Sequence, residues 1–294
     1  MEKNKFEIWS KKKIKFLDNA FYTLLNSITC PSEKLSDSIK YIYQNPGKRI
    51  RPLLVLAAGD TYGADPDMLI NLALSIELIH NYSLIHDDLP AMDNDDFRRG
   101  LPTLHKKYDE ATAILAGDAF LTLAFEALTY QPMTNSHKII NFLARSAGLA
   151  GMVGGQSIDI EYTNKDIPYE LVKKINSFKT GKIISSCIVL PVFLVKDSSY
   201  TPDQSLENFS NDVGLIFQLV DDLLDGISSF EKMGKKVQKD QINKKNTGFT
   251  ILGVEGLKKE ISLISDNIDN YIKENNLTGT YLDYIVKFVY QRSY

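Results

Sequence analysis

The stretch LIHDDLPAMDNDDFRRG, residues 84–100, crowds Asp87, Asp88, Asp93, Asp95 and Asp96 into ten positions, directly before Arg98 and Arg99. Carboxylates this close repel and raise one another's pKa unless positive charge sits among them. The run before it, INLALSIELIHNYS (70–83), carries Leu72, Ile76, Ile79 and Ser83 at helical spacing, while Leu74, Leu78 and Ile85 make other faces apolar too. A helix apolar on several sides belongs at the centre of a bundle. Pro90 clashes with the carbonyl of residue 86 and drives Leu89 from helical angles, so the helix should end near Asp88 and leave Asp93 to reach back from a loop. A calcium EF-hand loop does not fit. Counting from Asp93, position five is Phe97 and position six is Arg98 where the loop needs Gly.

Helical periodicity dominates the rest of the chain, with further helices expected over 4–27, 33–44, 50–61, 111–129, 136–153, 169–181, 183–196, 204–230, 250–273 and 279–292. Gly and Pro mostly fall between these blocks, as in NPGK (45–48) and YGADPD (62–67). No alternating strands, Walker or GxGxxG motif, internal repeat or linker interrupts them. The expectation is one all-α domain over residues 1–294. No run of about 18 apolar residues predicts a membrane span, and IVLPVFLV (188–195) is read as short and broken by Pro191.

The second acidic cluster is QLVDDLLDG (218–226). Asp221, Asp222 and Asp225 share one helical face. That spacing suits a solvated stripe and a metal site alike, but the flanks are strongly apolar, and charges on a core-facing helix are paired or bind metal. Taken together, both clusters lie at apolar helices, offer oxygen ligands alone, and have no His or Cys at zinc spacing. Few carboxylates per ion suit Mg2+, which keeps waters and favours phosphate as co-ligand. The missing charge is therefore read as two or three Mg2+ ions with a diphosphate bridging the clusters.

The basic residues divide similarly. GKRIRP (47–52) sets Lys48 and Arg51 near a helix start, where backbone N–H groups favour anions. Arg98 and Arg99 follow the first cluster, Lys179 opens KTGK (179–182), and Lys235 and Lys245 lie in MGKKVQKDQINKKNTG (233–248). A basic cluster beside a metal-binding acidic one suggests two diphosphates in one cavity. With 34 basic against 37 acidic residues there is no global positive field, which argues against nucleic acid as a partner. Cys30 and Cys187 lie far apart, arguing against a disulfide framework and for a reducing cytoplasm.

These motifs, with TAILAGDAF (112–120), GGQSIDI (154–160), FKTGK (178–182) and FQLVDDLLD (217–225), fall in one order and spacing. In them the chain resembles the trans-prenyltransferases (polyprenyl synthetases), most closely the bacterial branch that makes farnesyl diphosphate. The match is dense from about residue 40 to 245. The resemblance implies an isoprenoid synthase fold, a bundle of roughly a dozen helices around a central cavity, and a homodimer. It makes Asp87, Asp88 and Asp93 the first metal motif and Asp221, Asp222 and Asp225 the second. Arg98, Lys179 and Lys235 would contact the diphosphate of dimethylallyl or geranyl diphosphate, and Lys48, Arg51, His80 and Arg99 that of isopentenyl diphosphate. Lys245 is carried over with the substrate-binding lysines, and Thr180 and Gln218 occupy the places where the family stabilises the allylic cation. Tyr82, followed by Ser83 and the two-residue insertion in the first motif, resembles the arrangement of C15-producing members, in which an aromatic ring stops the growing tail. His86 is read as structural.

The chain departs from the family after the second motif, with Lys239 before Asp240 where Gly is usual, and Lys244 to Phe249 replacing Gly-Lys-x-Thr-Tyr-Pro. Arg292 near the C-terminus is a further candidate cap for the site. Geranyl or geranylgeranyl diphosphate synthesis, a non-catalytic subunit, a terpene cyclase and a metal-binding structural bundle stay open. Intact aspartate motifs and the Lys48/Arg51/His80 clamp weigh against the last three.

Overall fold

The structure is a computed structural model that describes residues 3–44, 46–197, 199–233 and 247–291; for residues 3 and 228–233 only the backbone is described. Lys235, Lys239, Asp240, Lys245 and Arg292 lie outside the described residues.

The expected helical blocks become α1 (Lys3–Ser27), α2 (Glu33–Tyr43), α3 (Ile50–Tyr62) and α4 (Pro66–Asp87). A two-stranded hairpin follows, β1 (Phe97–Arg98) with β2 (Leu101–Pro102). Then come α5 (Leu104–Lys107), α6 (Glu110–Ala127), α7 (Ser136–Ala147), α8 (Met152–Glu161) and α9 (Tyr169–Asn176). A π turn, Ser177–Gly181, leads into α10 (Lys182–Val195), α11 (Gln204–Met233), α12 (Gly248–Glu274) and α13 (Tyr281–Tyr290). The fold is an all-α bundle, as read from the sequence. The hairpin was not expected. Arg99 and Gly100 both adopt positive φ (53° and 80°), the backbone that closes a two-residue hairpin loop.

α4 is the central helix. Asp65 caps it, accepting from the N–H groups of Asp67 and Met68, and Pro66 occupies its first position, where no donor is lost. Buried residues run round its whole circumference, from Leu69 to Ile85. It packs most extensively on α6 and α3, while α10 seals against α3 and α11. Each fully buried Leu or Ile stabilises by roughly 1.5–3 kcal/mol relative to exposure.

Two expectations fail. The helix read over 136–153 is interrupted: α7 stops at Ala147 and α8 starts at Met152, because Gly148 (φ −88°, ψ −147°) and Gly151 (φ −143°, ψ −126°) leave helical angles. Pro191 does not break the apolar run either, since it sits inside α10. By length and composition, α4 and the continuous stretch Tyr169–Val195 could cross a membrane, but 78% and 72% of their apolar windows are buried in the bundle.

Candidate active site

One cavity of about 710 Å3 collects most of the expected residues. α3 contributes Arg51, and α4 contributes His80, Tyr82, Ser83, His86 and Asp87. The hairpin adds Arg98 and Arg99, the π turn Lys179 and Thr180, and α11 Gln218 and Asp221. Asp88, Asp93, Asp222, Asp225 and Lys48 are not among the lining residues.

The acidic end follows from how α4 stops. The Asp88 N–H still bonds the Leu84 carbonyl, but the chain then turns, and the Asp93 N–H donates to the Asp87 carbonyl (2.9 Å). This is the reach-back anticipated from Pro90. Asp87 Oδ1 accepts from Gln156 Nε2 on α8 (2.8 Å). Burial pushes Asp87 up to about 6; Lys179 opposes that rise, and Asp93 and Asp159 reinforce it. Burial likewise pushes Asp88 up to about 6, opposed by Arg98.

Within each Asp-Asp pair, the two residues have different surroundings. Asp87 and Asp221 line the cavity, whereas Asp88 is 4% exposed and Asp222 8%. Arg98 Nε donates to Asp88 Oδ1 (2.6 Å), with Arg98 Nη2 also on Asp95 (3.1 Å). Asp222 accepts from Gln218 Nε2 and the Gly248 N–H, both at 2.9 Å. The two residues expected as metal ligands are thus held by protein donors.

The π turn presents Lys179 and Thr180. Such single π turns within helices are rare and are frequent at functional sites. Here a Cβ on Gly155 would lie 2.3 Å from the Lys179 backbone nitrogen, and one on Gly214 2.7 Å from the Gly181 Cα, so α8 and α11 clamp the turn from both sides. Lys179 Nζ bonds Asp159 at 2.7 Å, and its attraction to Asp159 and Asp87 outweighs burial and raises its pKa. Thr180 Oγ1 donates to Gln218 Oε1 (2.9 Å).

The basic end is a set of guanidinium groups around His80. Burial, then Arg51, Arg99, Arg98 and Arg49, hold His80 well below its ordinary pKa, so the ring is neutral. Arg51 Nη1 lies 3.2 Å from His80 Nε2. Arginine can only donate, so Nε2 accepts and Nδ1 carries the proton. The Arg99 guanidinium lies against Gly47, where a Cβ would fall 2.4 Å from its central carbon. Lys48, expected beside Arg51, is exposed.

Sequence reading missed the residue beneath this group. Arg49, 3% exposed, starts α3 in a left-handed conformation (φ 52°). Its Nη1 donates to Glu77 Oε1 (2.7 Å), its Nε to Asp18 Oδ1 (3.2 Å), and it stacks on Phe21 and Tyr43. Gln156 and Asp159 were missed as individuals, although both lie in the quoted GGQSIDI; Arg49 stood inside the quoted GKRIRP.

The donor set suits a hard divalent cation. Among the described residues no three His, Cys, Asp or Glu groups converge tightly enough to hold a metal alone. Asp87 and Asp221 nevertheless reach one cavity from separate helices, with Asp93 acting on Asp87. Few carboxylates, with water and phosphate completing the sphere, is the Mg2+ pattern. A pH dependence follows. Between about pH 4 and 6 the folded chain holds protons on Asp87 and Asp88 that the unfolded chain has released, so their contribution to stability falls as pH rises through that window. A cation must expel such a proton, so Mg2+ with inorganic diphosphate should bind about tenfold more weakly at pH 5 than at pH 7.5. Isothermal titration at the two pH values checks this; equal affinities would contradict it.

The Polyprenyl synthetase family model matches residues 32–284. Farnesyl diphosphate synthase of Bacillus subtilis (strain 168) is 40% identical over 265 residues, covering 86% of this chain and 89% of that protein. The crystal structure of a geranyltransferase from Legionella pneumophila superposes with a TM-score of 0.83 at 32% identity, covering 99% of this chain and 98% of that one. A geranyltransferase from Helicobacter pylori, complexed with magnesium and isoprenyl diphosphate, superposes with a TM-score of 0.77 at 29% identity, covering 96% and 95%. With that fold, that cavity and those relatives, the chain belongs to the polyprenyl synthetase family of prenyltransferases.

Proposed function

We propose that this enzyme condenses isopentenyl diphosphate with dimethylallyl diphosphate and then with geranyl diphosphate, releasing farnesyl diphosphate (C15), with Mg2+ as its cation. The observation that carries the reading is one cavity with carboxylates from two helices at one part of its lining and the Arg51–His80–Arg99 group at another. Such a cavity receives two diphosphates of different kinds.

Asp87 and Asp221, which line the cavity, would hold the cation, with Asp93 and Asp225 carried over from the family's motifs beside them; when bound it draws charge from the departing diphosphate. Asp88 fixes Arg98, so that this guanidinium faces the allylic diphosphate together with Lys179. Arg51 and Arg99 hold isopentenyl diphosphate, and neutral His80 offers Nδ1–H. Thr180 and Gln218 turn oxygen atoms toward the allylic carbon as it becomes positive, and the apolar lining of Met152, Ile183 and Phe217 keeps out water that would quench it. Incubation with Mg2+, isopentenyl diphosphate and dimethylallyl or geranyl diphosphate should give farnesol after dephosphorylation. A folded protein that forms no carbon–carbon bond would overturn the proposal.

Product length belongs to Tyr82. It is 8% exposed and borders the cavity five residues before Asp87, about 7.5 Å at 1.5 Å per residue. Its ring meets the edge of His86 (5.4 Å), and His86 Nε2 bonds the Ile114 carbonyl (3.0 Å), so the ring is braced against α6. Tyr82→Ala should move the main product from C15 to C20 and longer, read by chromatography of the dephosphorylated alcohols; an unchanged profile would reject the role.

The proposal includes a homodimer in the cytoplasm. Exposed Ile114 and Leu115 on α6, and Leu149 before α8, offer apolar surface to a second copy, and the free thiols Cys30 and Cys187 suit a reducing compartment.

A further inference from the structure

We infer that Asp222 is a positioning residue that aims the Gln218–Thr180 pair at the cavity and anchors the start of α12, and that it does not ligate the cation. The inference rests on reading the cavity as the prenyl-transfer site.

Asp222 is 8% exposed and is not among the cavity-lining residues, whereas its neighbour Asp221 is. Each of its oxygens already accepts from a protein donor: Oδ1 from Gln218 Nε2 and Oδ2 from the Gly248 N–H, both at 2.9 Å. With both oxygens accepting from N–H groups, Asp222 fixes the Gln218 amide with its NH2 group toward the carboxylate. The amide oxygen then accepts the Thr180 hydroxyl proton (2.9 Å). Thr180 having donated to Gln218, its remaining lone pairs are left for the cavity, which both residues border. The negative ends of two dipoles therefore face the place where positive charge develops. A reversed amide would point N–H groups at that charge. Swinging Asp222 toward the cavity to reach a cation would stretch or break these bonds, exposing a buried N–H at the first turn of α12 or freeing the amide to turn.

The test uses the full-length chain and compares Asp222→Asn, Asp221→Asn, Gln218→Met and the Asp222→Asn/Gln218→Met double variant. Calorimetric Mg2+ affinity in the presence of inorganic diphosphate should stay within about twofold of wild type in Asp222→Asn and fall about tenfold or more in Asp221→Asn. In kcat, Asp222→Asn and Gln218→Met should each cost about 10- to 100-fold, and the double variant should be no worse than the more severe single one, since both break the same chain. Equal Mg2+ losses at 221 and 222, or kcat losses that multiply, would overturn the inference. Asp222→Ser replaces Asp222→Asn if that variant does not fold, with the same two outcomes. A wild-type crystal soaked with Mg2+ and diphosphate decides independently of folding: a metal about 2.1 Å from an Asp222 oxygen overturns the inference, and intact bonds to Gln218 and Gly248 support it. A wild type that makes no prenyl product would sink the functional reading, while the calorimetry and the soak would still judge Asp222.

Discussion

Replacing Asp87 by Asn should lower kcat by about 10²–10³-fold while leaving the fold intact, the loss typical of one preorganised charge-stabilising group. Asn keeps an oxygen for the Gln156 amide, so the contact between α4 and α8 survives, and what disappears is a half-buried carboxylate charge near Lys179. Loss of that charge should also raise the Mg2+ concentration needed for half-maximal rate. Steady-state rates over a Mg2+ titration, with circular dichroism to confirm folding, check both effects. A fall below about fivefold would remove Asp87 from the site.

The second large effect concerns stability. Arg49 and Glu77 are 3% and 1% exposed and bonded at 2.7 Å. Burial raises the pKa of Glu77, and Arg49 is the strongest opposing influence. Arg49→Met leaves a buried carboxyl without that partner, which should cost about 3–5 kcal/mol by chemical denaturation. Without Arg49 the folded Glu77 pKa rises further, so the folded chain binds the extra proton and the loss should grow with pH. The double variant Arg49→Met/Glu77→Leu should recover much of the stability, since replacing both partners by apolar groups is often near neutral. A single-variant loss under about 1 kcal/mol, or a double variant worse than either single one, would contradict this account. The pair also seats the first turn of α3, which carries Arg51.

These residues show what could be read from the chain alone. α4 was legible because apolar residues on every face leave no other place for a helix than the middle of a bundle. The break at Gly148–Gly151 was not, because glycine in a periodic pattern is tolerated as often as it interrupts. The helix over 183–196 was legible through Pro191, but the apolar run there was read as broken by that proline, which α10 instead carries inside a buried helix.

At the site, aspartates at helical spacing announced metal and phosphate chemistry, and the structure brings Asp87 and Asp221 to one cavity. The i,i+3 and i,i+4 spacing put Asp221, Asp222 and Asp225 on one broad face, but adjacent residues lie about 100° apart on a helix, and nothing in the chain says which of each Asp-Asp pair enters the cavity and which meets protein. Asp88 and Asp222 both find donors there, one from the hairpin and the other from the start of α12. Arg49 could not be distinguished from Lys48 by position, since its partner Glu77 stands 28 residues away in sequence.

The central claim is that a diphosphate is gripped through divalent cations between carboxylates of α4 and α11. Crystals soaked with Mg2+ and a non-hydrolysable allylic diphosphate analogue test it most directly. The account predicts metal density touching Asp87 from one helix and Asp221 from the other, with the diphosphate between them; a diphosphate bound without metal, or metal on one helix alone, would contradict it.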